Sequence, residues 1–392
     1  MSRIRYRSET AAVVLALVGC VLWAAPAAGD PPIQADDALI QRELGRLATF
    51  TGWLERNGVS GYVGEVGWPD DVYGAADAAS WNTLGERWYA AADAAGLWAT
   101  QWATGQWWGT DYRLAPYESS VRDGPVNRPN TQAQVIERHL DAAGVRRGVA
   151  LAGAEFGAPG PLERSGPFSN RSSGRLGDAY TYDPASTFSF LRSRGVRLVR
   201  FAFRWERIQP RLGRALARAE LGRLRSAVSR ARDAGIDVIL DVHNYGDYWV
   251  ERRGRGVRRA IGTDDVPVRA FADLWRRLSR GFGHNPTVIG YGLGNEPVAM
   301  PSRRGRSAAR LWEIASQRAT AAIRGTGDRK LVLVQGYEYA GVSTFPRHHP
   351  DDWIRDPAHN IRYEAHQYFD SDGSGTYRSP YARELESAQR LR

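Results

Sequence analysis

Two glutamates, Glu65 and Glu296, each stand at the end of an apolar run of strand length, Gly61–Val66 and Thr287–Leu293. Other polar or aromatic groups gather at similar places. Arg200 lies in Val196–Phe203, and His243, Asn244 and Tyr245 close Ile236–Val242. Asn295 precedes Glu296, His366 and Tyr368 close Ile361–His366, and Trp102 closes Leu97–Trp102. A carboxylate directly after an apolar strand is costly to bury without partners, so each glutamate is either paired or catalytic. Two such groups on different strands suit hydrolysis of a glycosidic bond, in which one acid protonates the leaving oxygen and the other is nucleophile or base. Metal chemistry fits worse: no His-Glu-x-x-His occurs, and the adjacent pair His348-His349 lies in a Pro-flanked loop. A serine nucleophile would lack its Gly-x-Ser-x-Gly elbow. Gly292-Leu293-Gly294 leads into Asn295-Glu296-Pro297 rather than a glycine-rich helix start, so no nucleotide fingerprint is present. Neither a metal nor another cofactor is expected.

The elements that must position these groups are eight continuous apolar runs. Besides those named they include Gly148–Ala152 and Leu331–Gln335, and they read as strands buried on both faces. Helical patterns lie between them at Asp37–Arg56, Trp81–Ala95, Thr131–Ala142, Ser186–Ser193, Ala217–Ala234, Val268–Phe282 and Ser307–Arg324. Glycines at 58, 96, 144, 195, 235 and 325 suit left-handed helix ends. Alternating strands and helices imply parallel pairing, and eight units imply an α/β fold closed as a (β/α)8 barrel. Catalytic groups of such a barrel sit at the carboxyl ends of its strands, where the residues above fall. Pro159–Tyr182 and Arg252–Arg259 read as loops.

Composition bounds the rest. The chain has 392 residues, 43% hydrophobic and 24% charged, which is globular, and a barrel of this size can be one domain. One cysteine excludes a disulfide framework and a thiolate zinc site. The net charge of +10 rests almost wholly on arginine. The arginine runs at 252–255 and 303–306 are not interleaved with aromatics and form no nucleic-acid module, so no nucleic-acid partner is expected. Arg3, Arg5 and Arg7 precede an apolar run from Ala11 to Ala25 and the small residues Pro26 to Gly29. This is the pattern of a secretory signal over residues 1–29, too short for a membrane span. Leu17-Val18-Gly19-Cys20 leaves lipoprotein anchoring as the alternative. The expected product is a secreted, monomeric barrel over residues 30–392.

Several segments carry a family resemblance. Gly294-Asn295-Glu296-Pro297 resembles the acid/base motif of glycoside hydrolase family 5, the cellulase family. Arg147-Gly148-Val149-Ala150-Leu151-Ala152-Gly153-Ala154-Glu155-Phe156-Gly157 resembles its first strand, Leu198-Val199-Arg200 its second and Asp241-Val242-His243-Asn244-Tyr245 its third. The stretch from Glu364 through His366 and Tyr368 to Thr376 resembles the sixth strand of the family's endoglucanases. In order and spacing these motifs cover Arg147 to Arg392. The family's nucleophile follows on a seventh strand, yet no glutamate after Phe369 follows an apolar strand. Instead Gly61-Tyr62-Val63-Gly64-Glu65-Val66-Gly67 resembles that seventh strand, and Leu97-Trp98-Ala99-Thr100-Gln101-Trp102-Ala103 the eighth with its platform Trp102. The resemblance therefore implies a circular permutant in which strands seven and eight precede strands one to six. Ala202 departs from the family's proline at that place.

By the same resemblance Glu296 is the general acid/base and Glu65 the nucleophile of a retaining endo-β-1,4-glucanase. Arg200 and Tyr368 hold Glu65 ionised, Asn295 donates to the sugar 2-hydroxyl, and His243, Asn244 and His366 bind sugar and carboxylates. Trp102 stacks on a sugar face. Glu155 either borders the cleft or braces the first loop. The partner is a polysaccharide. Mannan, mixed-linkage or β-1,3-glucan remain open as substrates, as does a carbohydrate-binding protein that has lost its chemistry.

Overall fold

The computed structural model describes residues 37–160, 162–302 and 305–391. The expected export signal and Cys20 lie outside the described residues. Among those residues, no helix is long and apolar enough to cross a membrane.

Helices and strands alternate along the chain. α1 (Ala38–Asn57) leads to β1 (Gly61–Gly67), α2 (Ala75–Ala94) to β2 (Trp98–Thr104) and α3 (Thr131–His139) to β3 (Arg147–Ala154). α4 (Ala185–Ser193) leads to β4 (Leu198–Phe203) and α5 (Arg218–Asp233) to β5 (Asp237–Val242). A hairpin follows, formed by β6 (Asp247–Arg252) and β7 (Arg255–Ala260). Then come α6 (Val268–Phe282), β8 (Val288–Gly292), α7 (Ala308–Arg324), β9 (Leu331–Gln335), β10 (Ile361–Tyr368) and α8 (Tyr381–Arg390). Eight strands close a parallel barrel in the order β3-β4-β5-β8-β9-β10-β1-β2. This is the expected (β/α)8 barrel, with β1 and β2 seated between β10 and β3. At the β10–β1 seam, the Tyr381 hydroxyl at the start of α8 donates to Asp37 Oδ2 at 3.0 Å, at the start of α1.

Each helix lays an apolar stripe on the outside of the ring. α1 is capped by the Asp37 side chain, which accepts from Leu39 N, and it buries Leu47, Phe50, Trp53 and Leu54. It ends at Gly58 with φ 63°. Gly96, Gly144, Gly195 and Gly235 also take positive φ, as expected. Gly325 does not: it stays right-handed at φ −63°, and the chain turns at Gly327 instead, two residues on. The hairpin is a second departure, because Arg252–Arg259 was expected to be a loop. Arginines on both faces hide its alternation, and they are held by carboxylates: Arg258 by Asp247, and both Arg252 and Arg259 by Asp265.

Inside the ring, period-two alternation builds layers. Tyr62, Leu198, Ile239, Leu331 and Leu333 form an apolar plug. Two residues further along the same strands stand Arg200, Asp241 and Gln335, all fully buried, joined there by Glu364 of β10. β1 breaks the alternation. Counting by twos from Tyr62 aims Glu65 outward with Val63, but the pairing with β10 slips between Val63 and Glu65, so Gly64 is an extra residue. This bulge turns Glu65 inward and sets it opposite His366.

Candidate active site

The carboxyl ends of the strands bring Glu65, Glu296 and His366 together, with one donor atom of each lying within 4.8 Å of the other two. Glu65 is held from two sides. Arg200 Nη1 donates to its Oε1 at 3.0 Å, and the Tyr368 hydroxyl donates to its Oε2 at 2.7 Å. Burial alone would push the Glu65 carboxyl up, but His366 and Arg200, with the Tyr368 hydrogen bond, hold it below the usual carboxylate range. Glu296 goes the other way. Burial raises its carboxyl, the hydrogen bond from His366 offsets only part of this, and the charge of Glu65 adds to it.

The backbone at Glu296 is left-handed, with φ 44°, and its N–H is anchored on Gln335 Oε1 at 2.5 Å. Asn295 beside it is fully buried. Its Oδ1 accepts from Arg200 Nη2 at 2.6 Å, which fixes the amide orientation, and its Nδ2 donates to His243 Nε2 at 3.0 Å. His243 Nδ1 donates to Asp241 Oδ2 at 2.9 Å. His243 thus has an acceptor on one ring nitrogen and an amide donor on the other, which fixes the orientation of its ring. His366 differs. Its Nδ1 is 2.8 Å from Glu296 Oε1 and 3.6 Å from Glu65 Oε2, and its Nε2 faces Glu364 Oε1 at 3.5 Å. Burial works against its charge, but the carboxylates prevail and push its pKa up to about 10. Glu65, Glu296 and His366 could each offer one ligand atom to a metal ion, but a charged His366 has no lone pair to give.

Trp102 closes the site over His243, their rings nearly parallel at 5.2 Å, with the indole N–H donating to the Tyr112 hydroxyl at 3.0 Å. It is 9% exposed, so it presents an edge more than an open face. One expected member falls elsewhere, and Glu155 takes the bracing role of its two readings. Asn244 does not join the carboxylates: its Oδ1 accepts from Trp205 N and its Nδ2 is taken by Glu206 and Asp247 O. It ties the loops after β4 and β5 together. Glu155 braces its own strand end, with Oε2 on the Gly153 N–H at 2.7 Å. Three residues not singled out in the sequence belong to the site: Asp241, Gln335 and Glu364. The available signal was a carboxylate or amide inside an otherwise apolar strand, a costly placement unless the group is held.

The likenesses to known proteins agree with this geometry. Residues 163–391 match the family model described as cellulase (glycosyl hydrolase family 5). The "Manganese dependent endoglucanase Eg5A" of Phanerodontia chrysosporium is 31% identical over 201 residues, 50% of this chain and 48% of that protein. Endoglucanase gh5-1 of Neurospora crassa is 31% identical over 232 residues, 58% of this chain and 52% of that one. The chain thus spans about half the length of these curated relatives. Among solved structures, endoglucanase Cel5A of Pseudomonas stutzeri is 34% identical, with TM-score 0.50 over 59% of this chain and 64% of that one. The family match takes in more than half of the residues, including Arg200, Asn295, Glu296 and His366. The chain belongs to glycosyl hydrolase family 5, the cellulase family.

Proposed function

We propose that the protein is a retaining endo-β-1,4-glucanase that cleaves its substrate in two displacements. One observation carries the reading: two carboxyl groups with oxygens within 4.8 Å, one held below the usual carboxylate range and the other above it. Retaining sites place their carboxyl groups about 5–5.5 Å apart, whereas inverting sites leave about 6.5–9.5 Å for a water. Glu65 attacks the anomeric carbon while Glu296 gives its proton to the departing glycosidic oxygen. The resulting ester on Glu65 is then cleaved by water, whose proton passes to Glu296. The second Nδ2 hydrogen of Asn295 is available to the sugar 2-hydroxyl. The names of the relatives, endoglucanases all, support a glucan cut within its chain as the substrate.

The same reading includes a permuted strand order relative to the family. It is supported by a collinear match that covers 163–391 and leaves the strand of Glu65 outside it, while the barrel seats that strand directly after β10. Export through residues 1–29 completes the proposal. N-terminal sequencing of protein recovered from the culture medium tests it.

The test of function is hydrolysis of carboxymethylcellulose beside mannan, lichenan and laminarin, with the anomer of the first product read by NMR. Release of β-anomeric products from cellulose supports the reading. Binding without release, or an α product, overturns it.

A further inference from the structure

We propose that Glu364 is a positioning residue that keeps His366 charged, so that one imidazolium serves Glu65 and Glu296 in turn. The proposal rests on the two-carboxylate reading above and deepens it. Glu364 is fully buried on β10 and touches neither reacting glutamate. Three groups that carry hydrogens converge on its Oε1: Gln335 Nε2 at 2.9 Å, Arg200 Nε at 3.2 Å and His366 Nε2 at 3.5 Å. Its Oε2 is buried with no hydrogen-bond partner among the described residues. An ionised group in this position is expensive, and an apolar side chain of similar volume would usually serve a barrel core as well. β1 gives up a side chain to admit it, since a Cβ on Gly64 would lie 1.9 Å from Glu364 Oε1.

The consequence falls on His366. A neutral imidazole has one N–H to offer, yet here both ring nitrogens face carboxyl oxygens, Nδ1 those of Glu296 and Glu65 and Nε2 that of Glu364, and on the proposal each nitrogen carries a proton. The charged groups around the ring are Glu65 from β1, Glu296 after β8 and Glu364 from its own strand. Arg200 of β4 and its neighbour Asp241 of β5 stand behind, and the Tyr368 hydroxyl lies beside Glu65. In the resting site the negative charge is on Glu65. Once Glu65 has become a neutral ester and Glu296 has released its proton, the charge is on Glu296. His366 Nδ1 reaches both, at 3.6 Å and 2.8 Å, so the countercharge need not move. Glu364 is the carboxylate of the three whose charge the reaction leaves untouched. The upward shift of His366 agrees with this.

The test is nitrogen-15 histidine NMR on wild type and Glu364→Gln, with His366 assigned from a His366→Asn sample, beside pH profiles of both enzymes. Wild-type His366 should remain doubly protonated through pH 8. In E364Q its pKa should fall by at least about one unit, and the basic limb of kcat/KM should move acidward with KM within about twofold. Glu364→Asp, which keeps the charge, should restore most of the shift. A neutral wild-type His366 at pH 7 overturns the proposal without any variant. So does an E364Q enzyme in which protonation and limb are unchanged. A wild type that hydrolyses no β-glucan would instead refute the catalytic reading, while the NMR arm still decides what Glu364 does to His366.

Discussion

Trp102 lies on His243 with 19° between their ring planes, so the residue expected to carry sugar also holds the imidazole in place. Because the opposite edge of that imidazole orders Asn295, the stack reaches the neighbour of Glu296 in two contacts.

Trp102→Ala should therefore cost both fold and function. Truncating a tryptophan this buried lowers stability by about 3–5 kcal/mol, measurable by urea unfolding. Trp102→Phe should keep the stack, lose the bond to Tyr112 and retain more activity. An alanine variant as stable and active as wild type would show that the stack does neither job.

The two glutamates should separate by chemical rescue. Glu296→Ala should lose about 10²–10⁴-fold in kcat, least for substrates with a good leaving group, and azide should restore turnover with a β-glycosyl azide as product. Glu65→Ala should be rescued to the α-azide. The same anomer from both variants would reverse or refute the assignment.

Activity should follow a bell in pH, with Glu65 setting the acid limb and Glu296 together with His366 the basic one. Tyr368→Phe removes a hydrogen bond from ionised Glu65, so the Glu65 carboxyl should rise and the acid limb move up by up to about one unit. The basic limb should stay. Movement of the basic limb alone would place Tyr368 with the wrong partner.

Stability should depend on Asp183, whose carboxyl is pushed up to about 7 by burial despite the Gln106 N–H on it. Unfolded, the group ionises near its ordinary value of 3.8. Between these values the folded chain holds a proton that the unfolded chain has lost, so stability falls as pH rises, by up to about 1.4 kcal/mol per unit. Above about 7 the loss is complete. Asp183→Asn should flatten the slope between pH 4 and 7 in thermal or urea unfolding, and an unchanged slope would exclude Asp183 as its source.

Much of this was legible in the residues. Eight continuous apolar runs gave eight barrel strands because strands covered on both faces have no alternating polar side to confuse the pattern. The polar groups at their ends gave most of the site. The arginine hairpin was not legible, because its charges are neutralised by Asp247 and Asp265, which lie close in space but outside the run itself. Asn244 shared the motif of His243 yet turned to Glu206, a partner without a sequence signal. Glu65 is the sharpest case. Its motif marked it, while simple alternation from Tyr62 would have pointed it out of the barrel. Only the register slip at Gly64 resolves the two.

The seam at which β1 meets β10 also sets a timetable. Gly61 pairs with Tyr363 and Gly67 with Tyr368, so the ring closes through contacts about 300 residues apart. Such long-range pairing is slow to find, and until β10 arrives the edges of β1 and β9 are open to other chains. Nearly the whole polypeptide is synthesised before Glu65 can meet Tyr368 and His366. A nascent or shortened chain ending before Ile361 would hold both glutamates, yet it would be inert and prone to aggregate. Closing the ring at this seam and assembling the site are thus one event.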